Sequence, residues 1–198
     1  MKRVLALLLM IASLLGAMAY AEETSLLAWD YTKDEWLERI DSIPKEIIGD
    51  GVDIDDLLLL SDEDGQKMYV TAPNDYTVVT LLCESDTDYV ESVVMLISLS
   101  SIPDYEAAVQ VGEDFAVLAR MAIFASDTEL AIMDVDAVVE DLKLNEAVAT
   151  PGAVEVLTQN GVRYAAINGD GESFSFVIMR AAEDNSDSDS SDSEEREN

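Results

Sequence analysis

Histidine is absent from this 198-residue chain, and cysteine occurs only once. Without histidine there is no Ser-His-Asp or Cys-His catalytic arrangement, and no side chain whose ordinary pKa lies near neutrality. Zinc sites built on imidazole are excluded as well, because one cysteine cannot replace the missing ligands. Any catalysis would depend on carboxylates, tyrosine, lysine or serine alone, and we expect a protein that is not an enzyme.

The single cysteine excludes an intramolecular disulfide. Cys83 ends the apolar stretch 77–83 and has no basic residue near it in the sequence to lower its pKa. We therefore expect a buried core residue rather than a nucleophile. Lipoprotein processing needs a cysteine directly after an N-terminal apolar run. The single cysteine is at position 83, far from that run, so a lipid anchor of that kind is excluded.

Basic residues are scarce. Eleven lysines and arginines stand against 42 acidic residues, which gives a formal net charge of −31. Such a charge repels nucleic acid and anionic membrane surfaces and attracts cations and basic proteins. We expect no nucleic-acid partner and take a cationic protein or peptide as the candidate partner. Solubility outside the cell is the other explanation of the charge.

The N-terminus has the pattern of an export signal. Lys2 and Arg3 precede the uncharged apolar run 4–18. Ala19-Tyr20-Ala21, or one frame earlier Ala17-Met18-Ala19, has the small-residue spacing that signal peptidase cleaves. The run is shorter than the about 20 apolar residues that span a bilayer. The sequence therefore predicts a signal peptide over 1–21, an extracellular or periplasmic location, and no stable membrane anchor after cleavage.

The rest of the chain divides into a folded part and a tail. Residues 22–182 have the size of a single domain, long enough to bury a core without disulfides. Exported proteins without disulfides are common in bacteria, so the low cysteine count and export agree. Residues 183–198 are almost entirely serine, acidic residues and asparagine, a composition that predicts a disordered acidic tail.

Three segments carry helix signals. Thr32 to Glu35 forms a capping box, which predicts a helix over 31–43 that ends before Pro44. A second helix is predicted from Pro103 and Asp104 to about Phe124, and its apolar stripe is Ala108, Val111, Phe115, Leu118 and Ala122. Ser126 to Glu129 has the pattern of another capping box, and we expect it to begin a third helix, broken or continuous, that runs to about Leu142.

Apolar and β-branched stretches predict strands before and after the two central helices. They cover 57–60, 67–72, 76–83 and 90–99, and then 154–157, 162–167 and 174–179. In the fourth strand Val93, Met95, Ile97 and Leu99 are expected to point to one side of the sheet, and Ser92 and Ser98 to the other. The order α-β(3-4)-α-α-β(2-3) predicts an α+β fold, an antiparallel sheet of about five to seven strands with helices packed on one face.

Clustered aspartates make calcium the ligand most worth considering. One cluster is Asp50, Asp53, Asp55 and Asp56, and the other is Asp62 with Asp64 before Gly65. In an EF-hand loop with glycine at position 6, positions 1 and 12 would fall on Leu60 and Thr71, which supply no carboxylate. A solvated hairpin turn explains the second cluster better, and these six residues remain weak calcium candidates. No other cofactor is expected.

The sequence is compatible with three functions. The first is a non-catalytic exported binding or interaction protein that engages a cationic protein or peptide. The second is a carboxylate-dependent hydrolase of an extracellular polysaccharide, since a glycosidase needs only two suitably spaced carboxylates. With 42 acidic residues the sequence singles out no such pair. The third is a weak calcium-responsive surface protein.

Overall fold

A computed structural model describes residues 27–48, 54 and 57–181. Within these ranges the chain forms a seven-stranded antiparallel sheet and helices, so the predicted α+β class and antiparallel sheet are confirmed. The helices are α1 (Lys33–Asp41), α2 (Lys45–Ile48), α3 (Tyr105–Ser126), α4 (Val135–Asp141) and α5 (Leu144–Ala149). The strands are β1 (Leu58–Glu63), β2 (Gln66–Thr71), β3 (Thr77–Glu84), β4 (Val90–Ser98), β5 (Val154–Gln159), β6 (Val162–Ile167) and β7 (Ser173–Arg180).

The sheet is built from two meanders that meet at its centre. Its spatial order is β1-β2-β3-β4-β7-β6-β5, so the last strand of the chain pairs with β4. Tight turns close the β1–β2 and β5–β6 hairpins. Asp64-Gly65 and Asn160-Gly161 both have positive φ at each residue, the conformation that two-residue hairpin loops favour.

Local signals place α1 where the sequence predicted it. The Thr32 side chain accepts from the amide of Glu35, and Glu35 Oε2 in turn accepts from the amide of Thr32 at 2.7 Å. The capping box is therefore present with both of its hydrogen bonds. Trp36 and Ile40 are the buried residues of this helix.

The long helix α3 supplies the centre of the core. Asp104 caps its start by accepting from the amide of Ala107 at 2.9 Å. Four members of the predicted stripe are buried: Val111, Phe115, Leu118 and Ala122. Ala108 is exposed instead, in the same first turns as Tyr105, which is 84% exposed. The buried stripe therefore begins later in the helix than the sequence suggested.

The predicted third helix does not begin at Ser126. Ser126 is the last residue of α3, and a turn and a 3-10 segment (Ile132–Asp134) precede α4. The Ser126 hydroxyl accepts from Trp36 Nε1 at 3.1 Å, and its carbonyl accepts from Tyr31 Oη at 3.0 Å. These distant partners replace the local cap that the sequence pattern suggested.

One apolar cluster joins the helices to one face of the sheet. It contains Trp36 of α1, Leu118 of α3, Val138 of α4 and Phe176 of β7. Phe115 meets the ring of Phe174 edge to face at 5.5 Å. Cys83 belongs to the same cluster and is fully buried, as expected, and burial raises the pKa of its thiol to about 12.

Candidate binding surfaces

The sheet face that points away from the helices is apolar in its central strands. We call the outer strip ten buried, uncharged side chains on this face of β3, β4, β6 and β7; the half-buried Arg163 of β6 lies beside them, paired with Met179. All ten are buried and none is charged: Val78, Thr80, Leu82, Ser92, Val94, Leu96, Ala165, Ser175, Val177 and Met179. An antiparallel sheet with one face in water normally alternates apolar and polar residues. The central strands here depart from that pattern.

Burial on this face is greatest in the central strands. Val94 and Leu96 are 3% and 1% exposed, whereas Leu58 of β1 and Val156 of β5, in line with Val94 across the sheet, are 72% and 44% exposed. Five residues of the strip form a separate apolar cluster, and Ile167, on the same sheet, is the partly buried apolar residue of the described chain that packs against it. The helices thus contribute nothing to this cluster.

Sequence reasoning missed the outer strip. It placed Val93, Met95 and Ile97 on one common face, and all three belong to the main apolar cluster. It took serines to mark the other side and passed over Val94 and Leu96, which lie between them. The available signal was the failure of alternation along β3, β4 and β7, because strands covered on both faces are nearly continuous apolar runs.

The opposite side of the molecule is acidic. On α1, α3, α4 and α5 every exposed charged side chain is a carboxylate. We call this set the acidic helical surface: Asp34, Glu35, Glu38, Asp41, Glu106, Glu113, Asp136, Glu140, Asp141 and Glu146. Lys143, in the turn between α4 and α5, is an exposed cation beside it.

The basic residues of these helices are half-buried and already have partners. Lys33 forms an ion pair with Asp34, and Arg120 Nε lies 2.7 Å from Asp136 Oδ1. Arg39 donates to the carbonyl oxygens of residues 124, 125 and 127 at the end of α3, where the helix dipole favours a positive charge. These basic side chains are therefore not free to neutralise the other carboxylates of the acidic helical surface.

A polar cluster lies where α3 ends, beneath α1. The fully buried Asp127 accepts from Tyr164 Oη at 3.2 Å and Asn160 Nδ2 at 3.0 Å through one oxygen, and from the amide of Glu129 at 3.1 Å through the other. Burial, and then the neighbouring Asp127 carboxylate, raise the pKa of Tyr164. All three partners of Asp127 are hydrogen-bond donors, so the cluster joins α3 to the β5–β6 hairpin as a structural element.

The structure does not gather the calcium candidates into a site. Asp50, Asp53, Asp55 and Asp56 lie outside the described residues. Asp62 accepts from Ser85 Oγ at 2.7 Å, and Asp64 occupies the β1–β2 turn. Within the described ranges, no group of three or more acidic or cysteine side chains could hold a metal ion.

One carboxylate has the environment that the hydrolase alternative would require. Glu91 is almost fully buried and accepts a hydrogen bond from Gln66 Nε2. Burial raises its pKa, Glu84 adds to the increase, and the bond from Gln66 acts in the opposite direction. A depression over the first turns of α3 is lined by Tyr105, Glu106, Ala107, Val109 and Gln110, and so it does not contain Glu91.

Glu91 makes a prediction about stability and pH. Because its pKa is raised in the folded chain, its contribution to stability is complete below the ordinary glutamate value and is lost as the pH rises through the folded-state pKa. We therefore expect Glu91→Gln to raise the melting temperature at pH 7 and to change it little at pH 4. Thermal unfolding at both pH values measures this. Glu172→Gln, at an exposed position, is the control. A Glu91→Gln chain that melts at a lower temperature than its parent at pH 7 would contradict the raised pKa of Glu91.

Comparison with protein-family models, with curated proteins and with solved structures found no match. None of the helices in the described part of the chain has the length and apolar character needed to cross a membrane. The function of this chain is therefore inferred from its surfaces.

Proposed function

We propose that this protein is an exported, non-catalytic binding protein that engages a cationic protein or peptide through the acidic helical surface. One observation carries the proposal. Every exposed charge on the four longer helices is negative, and the basic side chains of those helices are held by partners within the chain. Export is the part of the proposal that depends on residues 1–21, which lie outside the described ranges.

The distribution of the carboxylates favours a polypeptide over a metal ion. A metal site needs several ligands converging on one point, whereas these carboxylates are spread over α1, α3, α4 and α5. A chain with several lysines or arginines can meet many of them at once. Each exposed pair contributes only about 0.2–1 kcal/mol, so useful affinity requires several contacts.

The test is titration of the purified chain with a twelve-residue lysine peptide, and with a glutamate peptide of equal length as the negative ligand. We expect binding to the lysine peptide that weakens steeply between low and physiological salt, where the screening length falls to about 8 Å. Glu140→Gln, Asp141→Asn and Glu146→Gln together are expected to weaken binding roughly 3- to 150-fold at low salt, as three exposed pairs would.

A matched control separates a defined surface from net charge. Glu63→Gln, Asp86→Asn and Glu172→Gln remove the same charge at exposed positions outside the helices. We expect this triple variant to keep most of the affinity. Equal losses in both triple variants, or binding that ignores salt, would contradict the proposed surface.

A further inference from the structure

The strand β5 is an open edge of the described sheet. It pairs with β6 alone, and no described residue bonds to the backbone groups on its other side. A strand edge presents a row of amide and carbonyl groups with which an added strand can pair. Bulges, prolines and lysines normally protect such edges, but β5 contains none of them, and its six residues pair with β6 in unbroken register. β5 can therefore accept one further strand.

The opposite edge of the sheet is less suited to an added strand. β1 pairs with β2 alone, and its register shifts between Leu59 and Ser61. A bulge of this kind leaves a residue unpaired, bends the strand and disrupts the ladder. The edge of β1 is therefore divided into two short pieces, whereas that of β5 is continuous.

The turn of the β5–β6 hairpin determines which backbone groups of β5 are free. Gln159 and Val162 flank the two-residue turn at Asn160-Gly161, so they form a hydrogen-bonded pair. Hydrogen-bonded and non-hydrogen-bonded pairs alternate along an antiparallel ladder. The amides and carbonyls of every second residue of β5 therefore point toward the open edge: Val154, Val156 and Thr158.

The two faces of β5 differ in chemical character. Val154 and Val156 lie on the face that points away from the helices and are 52% and 44% exposed. Glu155 lies between them on the helix-covered face, is half-buried, and forms none of the ion pairs found among the described residues. α5 packs against β5 and β6 on that face and carries the exposed Glu146. A strand beside β5 would meet valines on one face and carboxylates on the other.

We propose that the cationic segment bound by this protein adds to β5 as an antiparallel strand in which apolar residues alternate with lysine or arginine. The inference rests on the proposed function, because it names the conformation and the sequence pattern of the same cationic partner. The apolar side chains of the added strand lie beside Val154 and Val156. A cation lies opposite Glu155 as a cross-strand pair, on the side of the sheet where α5 carries Glu146.

A second copy of this chain fits this edge less well than a cationic strand. Antiparallel pairing of β5 with β5 of a second copy relates the two chains by a two-fold axis perpendicular to the sheet, so the helices of both lie on the same face. Glu155 and the α5 carboxylate Glu146 of each chain would then lie near those of the other, and like charges repel. A cationic strand replaces this repulsion with attraction.

The test uses three peptides and the unaltered chain 1–198. The parent peptide is Lys-Val-Lys-Val-Lys-Val-Lys with blocked ends. One variant is N-methylated on its three valines, and the other on three of its lysines, which changes neither the charge nor the side chains. In the antiparallel arrangement the valine amides face β5 and the lysine amides face solvent. We expect the valine-methylated peptide to bind about tenfold or more weakly than the parent, because its amides no longer donate to β5. The lysine-methylated peptide should bind within about threefold of the parent, because its methyl groups face solvent.

The outcomes distinguish the strand addition from the proposed function. Equal affinity of all three peptides would overturn the strand addition and leave the acidic helical surface as the binding site, whereas no binding of the parent peptide would contradict both. A loss confined to the lysine-methylated peptide, or an equal loss in both variants, would overturn the antiparallel pairing. A doubled mass of the chain that Val156→Pro reduces to a single mass would identify a second copy on β5, and would also overturn the proposal.

A charge reversal on β5 tests the cation opposite Glu155. We expect Glu155→Lys to weaken binding of the parent peptide roughly 2- to 30-fold, because an attractive cross-strand pair becomes a repulsive one. It should strengthen binding of the peptide in which glutamate replaces every lysine. Glu63→Lys, on the exposed end of β1, makes the same change of charge on the other edge and should have a smaller effect. Equal effects of the two variants would show that net charge rather than β5 determines binding, and would overturn the proposal.

Discussion

Replacing Trp36 with alanine is expected to lower the free energy of unfolding by about 3–5 kcal/mol. Trp36 is fully buried between α1 and the rest of the core, and its indole nitrogen donates to Ser126 Oγ at 3.1 Å. The substitution removes a large apolar surface from the core and leaves a cavity. It also takes away the partner of a buried hydroxyl.

Urea unfolding followed by circular dichroism measures this loss. Trp36→Phe is the graded variant, because it keeps most of the buried ring and loses the hydrogen bond, and we expect a cost of about 1–2 kcal/mol. Tyr105→Ala is the matched control at an exposed aromatic residue and should lie within about 0.5 kcal/mol of the parent. A Trp36→Ala loss below 1 kcal/mol would show that α1 does not form part of the cooperative core.

Replacing Asp127 with alanine is expected to cost about 2–4 kcal/mol. The substitution leaves the buried Tyr164 hydroxyl without its acceptor and also frees Asn160 Nδ2 and the amide of Glu129. Removing a buried carboxylate relieves some desolvation, which offsets part of the loss. We expect faster amide hydrogen exchange at the C-terminal end of α3 and in the β5–β6 hairpin, because Asp127 no longer joins them.

Asp127→Asn separates hydrogen bonding from charge. The asparagine oxygen can still accept from the amide of Glu129, but its NH2 group would face the donors of Tyr164 and Asn160. We expect a loss smaller than that of Asp127→Ala, measured by the same urea unfolding. An Asp127→Ala chain as stable as its parent would mean that the cluster does not hold α3 to the hairpin.

Several parts of the fold follow from short stretches of sequence. The capping box at Thr32 and Glu35 and the turn at Asn160-Gly161 lie where the residues predicted them. These features involve groups within a few residues of each other, so the local sequence contains all the interacting partners. The antiparallel sheet follows from the run of strands and tight turns.

The errors arose where distant residues interact. Ser126 appeared to begin a helix, but Trp36 and Tyr31, some 90 residues earlier, bond to it at the end of α3. The apolar outer strip was missed because Val94 and Leu96 were read against the nearby serines. The burial of such residues depends on which segment packs against that face of the sheet. The sequence of the strand alone does not contain this information.

The candidate surfaces show the same division. Composition alone determined that the chain is strongly acidic, lacks histidine and cannot form an internal disulfide. Only the tertiary structure decided that the helices expose carboxylates while Lys33, Arg39 and Arg120 are held within the chain. It also decided that β7 pairs with β4, which brings Val177 beside Val94 to form the strip. Net charge is a sum over residues, whereas a surface depends on which of those residues the fold places together and which it pairs or buries.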